Sequence, residues 1–156
     1  MLNSKQRYNK FNGTYIKVII MSNKPDFSEE TIVRVGIIGS GFIANHHLFG
    51  YSRLSNVEIA GISSLKTQEA SELMEKYKIS GKPIEDYTKL LEKDLDIVSL
   101  CIPNFLHEKI AINALESGAH IIVEKPLARN IEEGKRILEA AKKAGKQVFY
   151  AENNIY

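Results

Sequence analysis

Three groups of residues in this chain have types and spacings that could do chemistry. The first is Gly39-Ser40-Gly41-Phe42-Ile43-Ala44, which fits G-x-G-x-x-G/A and follows the apolar run Val35 to Ile38. In such a turn Gly39 allows the tight reversal, Gly41 lets the backbone approach a pyrophosphate, and Ala44 is small enough for the next helix to pack on the strand. Free N–H groups at that helix start, reinforced by the macrodipole, favour an anion. The plain alternative is a glycine turn with no ligand. The second group is Ser63-Ser64 with Lys66, at the tip of the run Val57 to Ile62. An acid about 20 residues after the glycines normally accepts hydrogen bonds from the adenosine ribose of NAD at this place. None stands here, because Glu58 lies at the start of the run. Two hydroxyls and a lysine could instead donate to the 2′-phosphate of NADP, and losing the carboxylate removes a repulsion. NADP is therefore expected ahead of NAD. The alternative is that the serines cap the following helix and either cofactor is taken. The third group is Glu124-Lys125-Pro126, closing the run Ala119 to Glu124 at a strand end, where α/β sites are built.

Short apolar runs must place these groups. Val35 to Ile38, Val57 to Ile62, Asp96 to Ile102, Ala119 to Glu124 and Gln147 to Glu152 each read as a buried strand. Helix signals separate them. Asn130 precedes Ile131-Glu132-Glu133 as a cap, and Lys142-Lys143 with Gly145 closes the segment, so a helix is expected over 131–144. Asn104 is expected to cap a second helix with Leu106, Ile110, Ala111, Ala114 and Leu115 on one face and Gly118 ending it. Gln68 to Tyr77 repeats the pattern, and the segment after the glycine turn runs to about Arg53. Strand and helix in alternation imply parallel pairing with right-handed crossovers, hence an α/β, doubly wound parallel sheet of the Rossmann type. His46 and His47 follow the glycines with no cysteine or carboxylate at metal spacing, and read as helix residues rather than ligands.

Composition narrows the partners. The 156 residues are 44% hydrophobic and 26% charged with net charge +2, enough for one core and too balanced for a nucleic-acid or membrane-surface footprint. A small-molecule partner is expected. Cys101, the only cysteine, lies in an apolar run, so neither a disulfide framework nor a cysteine-rich metal site can be built. A reducing, cytoplasmic setting fits, and no apolar run approaches the about 18 residues that span a bilayer. Residues 1–30 are rich in Asn, Lys, Ser and Tyr without a sustained period and read as a poorly ordered leader, with Met21 an alternative start; 31–156 read as the binding domain.

Cys101 to Ala128, CIPNFLHEKIAINALESGAHIIVEKPLA, closely resembles the Gfo/Idh/MocA oxidoreductases, with their Pro-Asn-x-x-His turn and Glu-Lys-Pro signature. With the glycine turn and its trailing His47, the resemblance covers about Val33 to Tyr156. It implies strand order 3-2-1-4-5-6 with NAD or NADP across the strand ends. It also implies that Pro103, Asn104 and His107 line the nicotinamide side. Glu124 and Lys125 then meet the cofactor, a cis Lys125–Pro126 bond aims the lysine into the cleft, and Lys125 polarises or deprotonates a reacting hydroxyl as hydride passes to nicotinamide. Glu152 and Asn153 are expected to reach the cofactor edge. The substrate implied is a sugar, polyol or similar hydroxyl compound.

Family members are about twice this length, with a second domain that supplies the substrate wall and a catalytic histidine; here no histidine lies beyond His120. The expectation is therefore a cofactor-binding half without its substrate domain. The competing expectation is a stand-alone nucleotide-binding module without turnover. An apolar face left bare by the missing domain is expected to be sticky and leaves room for a homo-oligomer.

Overall fold

The computed structural model of the protein describes residues 7–11, 14–18 and 31–151. Five parallel strands form the sheet: β3 (Val33–Ile38), β4 (Val57–Ser63), β5 (Ile97–Leu100), β6 (His120–Glu124) and β7 (Val148–Ala151), in the order β4-β3-β5-β6-β7. They are preceded in the chain by β1 (Arg7–Phe11) and β2 (Thr14–Val18), which pair antiparallel as a separate ribbon. The ribbon falls within the stretch read as a leader, the rest of which, 1–6, 12–13 and 19–30, lies outside the described residues. Its strands carry Tyr8, Phe11, Tyr15, Ile16 and Val18, all strand-favouring types, and Asn12-Gly13, a pair favoured in hairpin connections, stands between them in sequence.

The five expected strands all form, and each crossover carries a helix. They are α1 (Phe42–Tyr51), α2 (Thr67–Lys76), α3 (Tyr87–Leu91), α4 (His107–Glu116) and α5 (Ile131–Ala144). Val35 and Ile37 of β3 pack with Ala44 and Leu48 of α1 and Ala70 and Met74 of α2 on one face. Val98, Leu100, Ile121 and Val123 pack with Ile110, Ala114, Leu115 and Ile137 on the other. The strand period of two makes this division, and it sends Ser99, between Val98 and Leu100, toward α1. Among the described residues no helix is long and apolar enough to cross a membrane.

Two expectations change. The place of a third strand beside β4 is held by Ile84 alone, which accepts from Ser64 N at 2.9 Å and donates to Ile62 O at 3.0 Å. Pro83 has no N–H to extend that ladder, and Asp86 already caps α3 by accepting from Thr88 N at 2.9 Å. The sheet therefore lacks the sixth member of the order 3-2-1-4-5-6. Asn104 does not cap α4 either. It opens a 3-10 turn over Asn104–Leu106, and α4 starts at His107 with no side-chain cap. The cause is His107, whose fully buried ring bonds to Ile102 O and Pro126 O, both at 3.0 Å, and so fixes where the helix begins.

Asn130 behaves as its sequence context requires. Its side chain accepts from Glu133 N at 2.9 Å, two acids occupy the first turn, and Gly145 ends α5 at φ 66°. Asn130→Ala is expected to destabilise the protein by about 1 kcal/mol, whereas Asn104→Ala stays within about 0.5 kcal/mol; urea unfolding midpoints of the two variants check the contrast.

Candidate functional site

The loop after β3 is shaped by one close approach. Gly39 has φ 105°, and a Cβ there would lie 2.1 Å from the Cys101 carbonyl oxygen, so no other residue fits without moving β5. Its N–H donates to Ser63 O at 2.7 Å, tying the ends of β3 and β4 together. Gly41 is different, since a Cβ built there would meet nothing within 4 Å. It is the N-cap of α1 and contributes no side-chain cap, and the first turn of α1 holds no acid. The start of this ten-residue helix, where uncapped N–H groups carry the positive end of the macrodipole, thus has open space beside Gly41. Ser40 is buried, Phe42 is 80% exposed, Ile43 is half-buried, and Ala44 lies fully under α1 where its size lets the helix sit on the sheet.

Beside this turn runs a groove bounded by Ser40, Phe42, Lys66, Glu69 and Glu72. Ser64 Oγ lies 2.8 Å from Ser40 Oγ and accepts from Lys66 N at 3.1 Å. This bond belongs to a local turn, since α2 has Lys66 as its N-cap and no side-chain cap, so the serines do not cap that helix. Ser63 is not part of the groove: it is 1% exposed and its hydroxyl is enclosed, without a partner among the described residues. Of the two hydroxyls read from the sequence, only that of Ser64 belongs to a residue that is not fully buried, and it is bonded to Ser40, which borders the groove. The carboxylate thought missing from this place arrives from α2, where Glu69 accepts from Lys66 Nζ at 2.8 Å and from Ser40 Oγ at 3.4 Å. The Lys66 bond, outweighing modest desolvation, holds the Glu69 carboxyl below its ordinary value.

The ends of β5 and β6 make the other half. Pro103 is exposed and Asn104 half-buried on the loop after β5. His107 is not brought to the cleft; it braces the loop after β5 against the loop after β6. The Lys125–Pro126 bond is cis, and the Lys125 side chain is exposed. Glu124 is not free: its Oε1 lies 2.8 Å from His47 Nε2 and its Oε2 accepts from Lys125 N at 3.4 Å. Burial pushes the Glu124 carboxyl up, but the bond to His47, with the Lys125 N–H and ammonium, holds it below its ordinary 4.5. Burial, then the Glu124 charge, pushes the Cys101 thiol up, so it is no nucleophile. Glu152 and Asn153 lie outside the described residues.

The sequence did not reveal the pairing of His47 with Glu124, which are 77 residues apart. The signal that could have found it is the strand period. Ile121 and Val123 belong to the α4 face, so Glu124 turns toward α1, as Ser99 does. Glu69 carried a signal too, since an acid in the first turn of a helix is common and brings its charge back to the strand end.

The fold and the open, uncapped start of α1 define a nucleotide-binding α/β domain of the Rossmann type. A family model described as the oxidoreductase family, NAD-binding Rossmann fold, matches residues 33–152. The chain belongs to that family, the Gfo/Idh/MocA oxidoreductases. Inositol 2-dehydrogenase of Salmonella typhimurium is 31% identical over 118 residues, covering 74% of this chain and 35% of that protein. KijD10, a 3-ketoreductase from Actinomadura kijaniata solved with NADP, superposes with a TM-score of 0.70 at 31% identity, over 76% of this chain and 38% of that one. The WlbA dehydrogenase from Chromobacterium violaceum, solved with NADH and UDP-GlcNAcA, gives a TM-score of 0.76 at 28% identity, over 84% of this chain and 38% of that one. The chain thus spans about a third of the length of the curated relatives it matches.

Two outcomes are expected. Gly41→Ala keeps the unfolding midpoint of the parent, because its Cβ has room, yet weakens nicotinamide dinucleotide binding about tenfold by filling the approach to the N–H groups; equilibrium binding alongside a melt checks both. Because the folded Glu124 carboxyl lies below its ordinary 4.5, the stability it contributes is complete above that pH and is lost as pH falls through the folded value. Glu124→Gln accordingly flattens that part of the acid-unfolding curve.

Proposed function

We propose that this chain binds a nicotinamide dinucleotide, NADP ahead of NAD, as the cofactor half of an oxidoreductase acting on a hydroxyl carbon of a sugar, polyol or similar small molecule. The observation that carries the reading is the uncapped, acid-free start of α1 opening onto empty space at Gly41, on the sheet edge that also bears Lys125. The pyrophosphate meets the N–H groups of the glycine turn. Ser64 and Lys66 receive the adenosine end, and a 2′-phosphate there takes Lys66 from Glu69. Phe42 at the start of α1, Leu65 after β4 and Phe105 in the 3-10 turn after β5 stand exposed and supply apolar surface for flat rings. Bound nicotinamide supplies the hydride acceptor. Lys125 Nζ orients the substrate hydroxyl and takes its proton as the carbon–hydrogen bond breaks. Kinship with dehydrogenases acting on inositol and glucosides supports the substrate class.

Titrating the full chain with NADPH and NADH, read by nucleotide fluorescence, tests this. NADPH is expected to bind more tightly; tighter NADH binding overturns the cofactor choice, and binding of neither overturns the reading. Glu69→Gln removes a like charge beside the 2′-phosphate and is expected to tighten NADPH about threefold while leaving NADH within about twofold. In an assay with a polyol and sugar panel, Lys125→Ala is expected to lower turnover by about 100-fold or more while dinucleotide binding persists. Binding with no turnover by the parent chain identifies a nucleotide-binding module instead.

A further inference from the structure

His47 sits at the centre of a polar chain that the hydride-transfer reading leaves unused. Its Nε2 is 2.8 Å from Glu124 Oε1 and its Nδ1 is 3.4 Å from Ser99 Oγ, which in turn is 2.5 Å from the Tyr51 hydroxyl. The side chains of His47 and Glu124 are only 13% and 14% exposed, so their contact is weakly screened. An arrangement that uses every proton runs in one direction: Tyr51 O–H donates to Ser99, Ser99 O–H to His47 Nδ1, and His47 Nε2–H to Glu124. Burial pushes the Tyr51 phenol up, which keeps it a donor at neutral pH. Both Glu124 oxygens are then engaged, one by His47 and the other by the backbone N–H of Lys125. Among the described residues, Lys125 forms no ion pair within 4.0 Å.

We propose that His47 is the positioning residue for Lys125: by holding the Glu124 carboxylate it keeps that carboxylate off the neighbouring ammonium and leaves Lys125 free for its ligand. The bearing on catalysis rests on the role of Lys125 stated above; the local claim does not. Without His47, the carboxylate one residue away is free to pair with Lys125, and such pairing favours the charged, unreactive form of the amine.

The test is the rate at which trinitrobenzenesulfonate modifies Lys125 in the full chain at alkaline pH, read by peptide mass and normalised to exposed Lys89. His47→Leu is expected to slow Lys125 about threefold or more. His47→Gln, whose amide can still donate to Glu124, restores the rate, and so does adding Glu124→Gln to His47→Leu. An unchanged Lys125 rate in folded His47→Leu overturns the proposal, as does a slowing that Glu124→Gln fails to relieve. Should His47→Leu not fold, long-range nitrogen–proton NMR of the parent decides: the proton is expected on Nε2 with Nδ1 bare, and the opposite tautomer overturns the proposal. Because none of these readouts needs a cofactor, a chain that shows the Lys125 response yet binds no dinucleotide refutes the function and not the positioning.

Discussion

The molecule is organised around the contact between Gly39 and the Cys101 carbonyl. At 2.1 Å from a hypothetical Cβ, that oxygen leaves space for hydrogen only. Cys101 N also donates to Ile38 O at 2.8 Å, and Gly39 N to Ser63 O at 2.7 Å, so the ends of β3, β4 and β5 are drawn to one point. Strand order reverses direction here, with β4 on one side of β3 and β5 on the other, which opens a crevice above the sheet. The chain must leave β3 through a positive-φ residue and enter α1 at once. The uncapped helix start, the groove between Ser40 and Lys66 and the loops carrying Asn104 and Lys125 all lie at the C-terminal ends of these strands.

Elements set by local chemistry were readable in the sequence. The five strands, the span of α5 with its Asn130 cap and Gly145 terminus, and the tight turn at Gly39 rest on neighbours in the chain. What could not be read depends on residues distant in sequence. Asn104 has the right type for a cap, but His107 is claimed by two carbonyls, one of them 19 residues away, and that buried anchor decides the helix start. Ser63 and Ser64 look equivalent in sequence; the strand period turns one inward and the other toward Ser40. Reading the end of β4 alone left the place without a carboxylate, although the first turn of α2 returns Glu69 to it.

Charge is distributed with the same economy. Lys66 and Glu69 pair beside the groove, so in the proposed reading a phosphate arriving there competes for a cation already paired. At the end of β6 the pairing is reversed in effect: His47 occupies Glu124 and leaves the adjacent lysine unpaired among the described residues. The first pair is exposed and screened, the second shielded, and the shielded one has the greater influence on its neighbour.

The central claim is that the N–H groups after Gly39 are the anchor of a nicotinamide dinucleotide. Amide chemical-shift mapping of the nitrogen-labelled full chain during NADPH titration tests it most directly. The account predicts saturable shifts that concentrate on Gly39 to Ala44 and extend to Ser64, Lys66 and Lys125, with the sheet interior unmoved. Shifts absent from the glycine turn, or largest on the far edge of the sheet, contradict it.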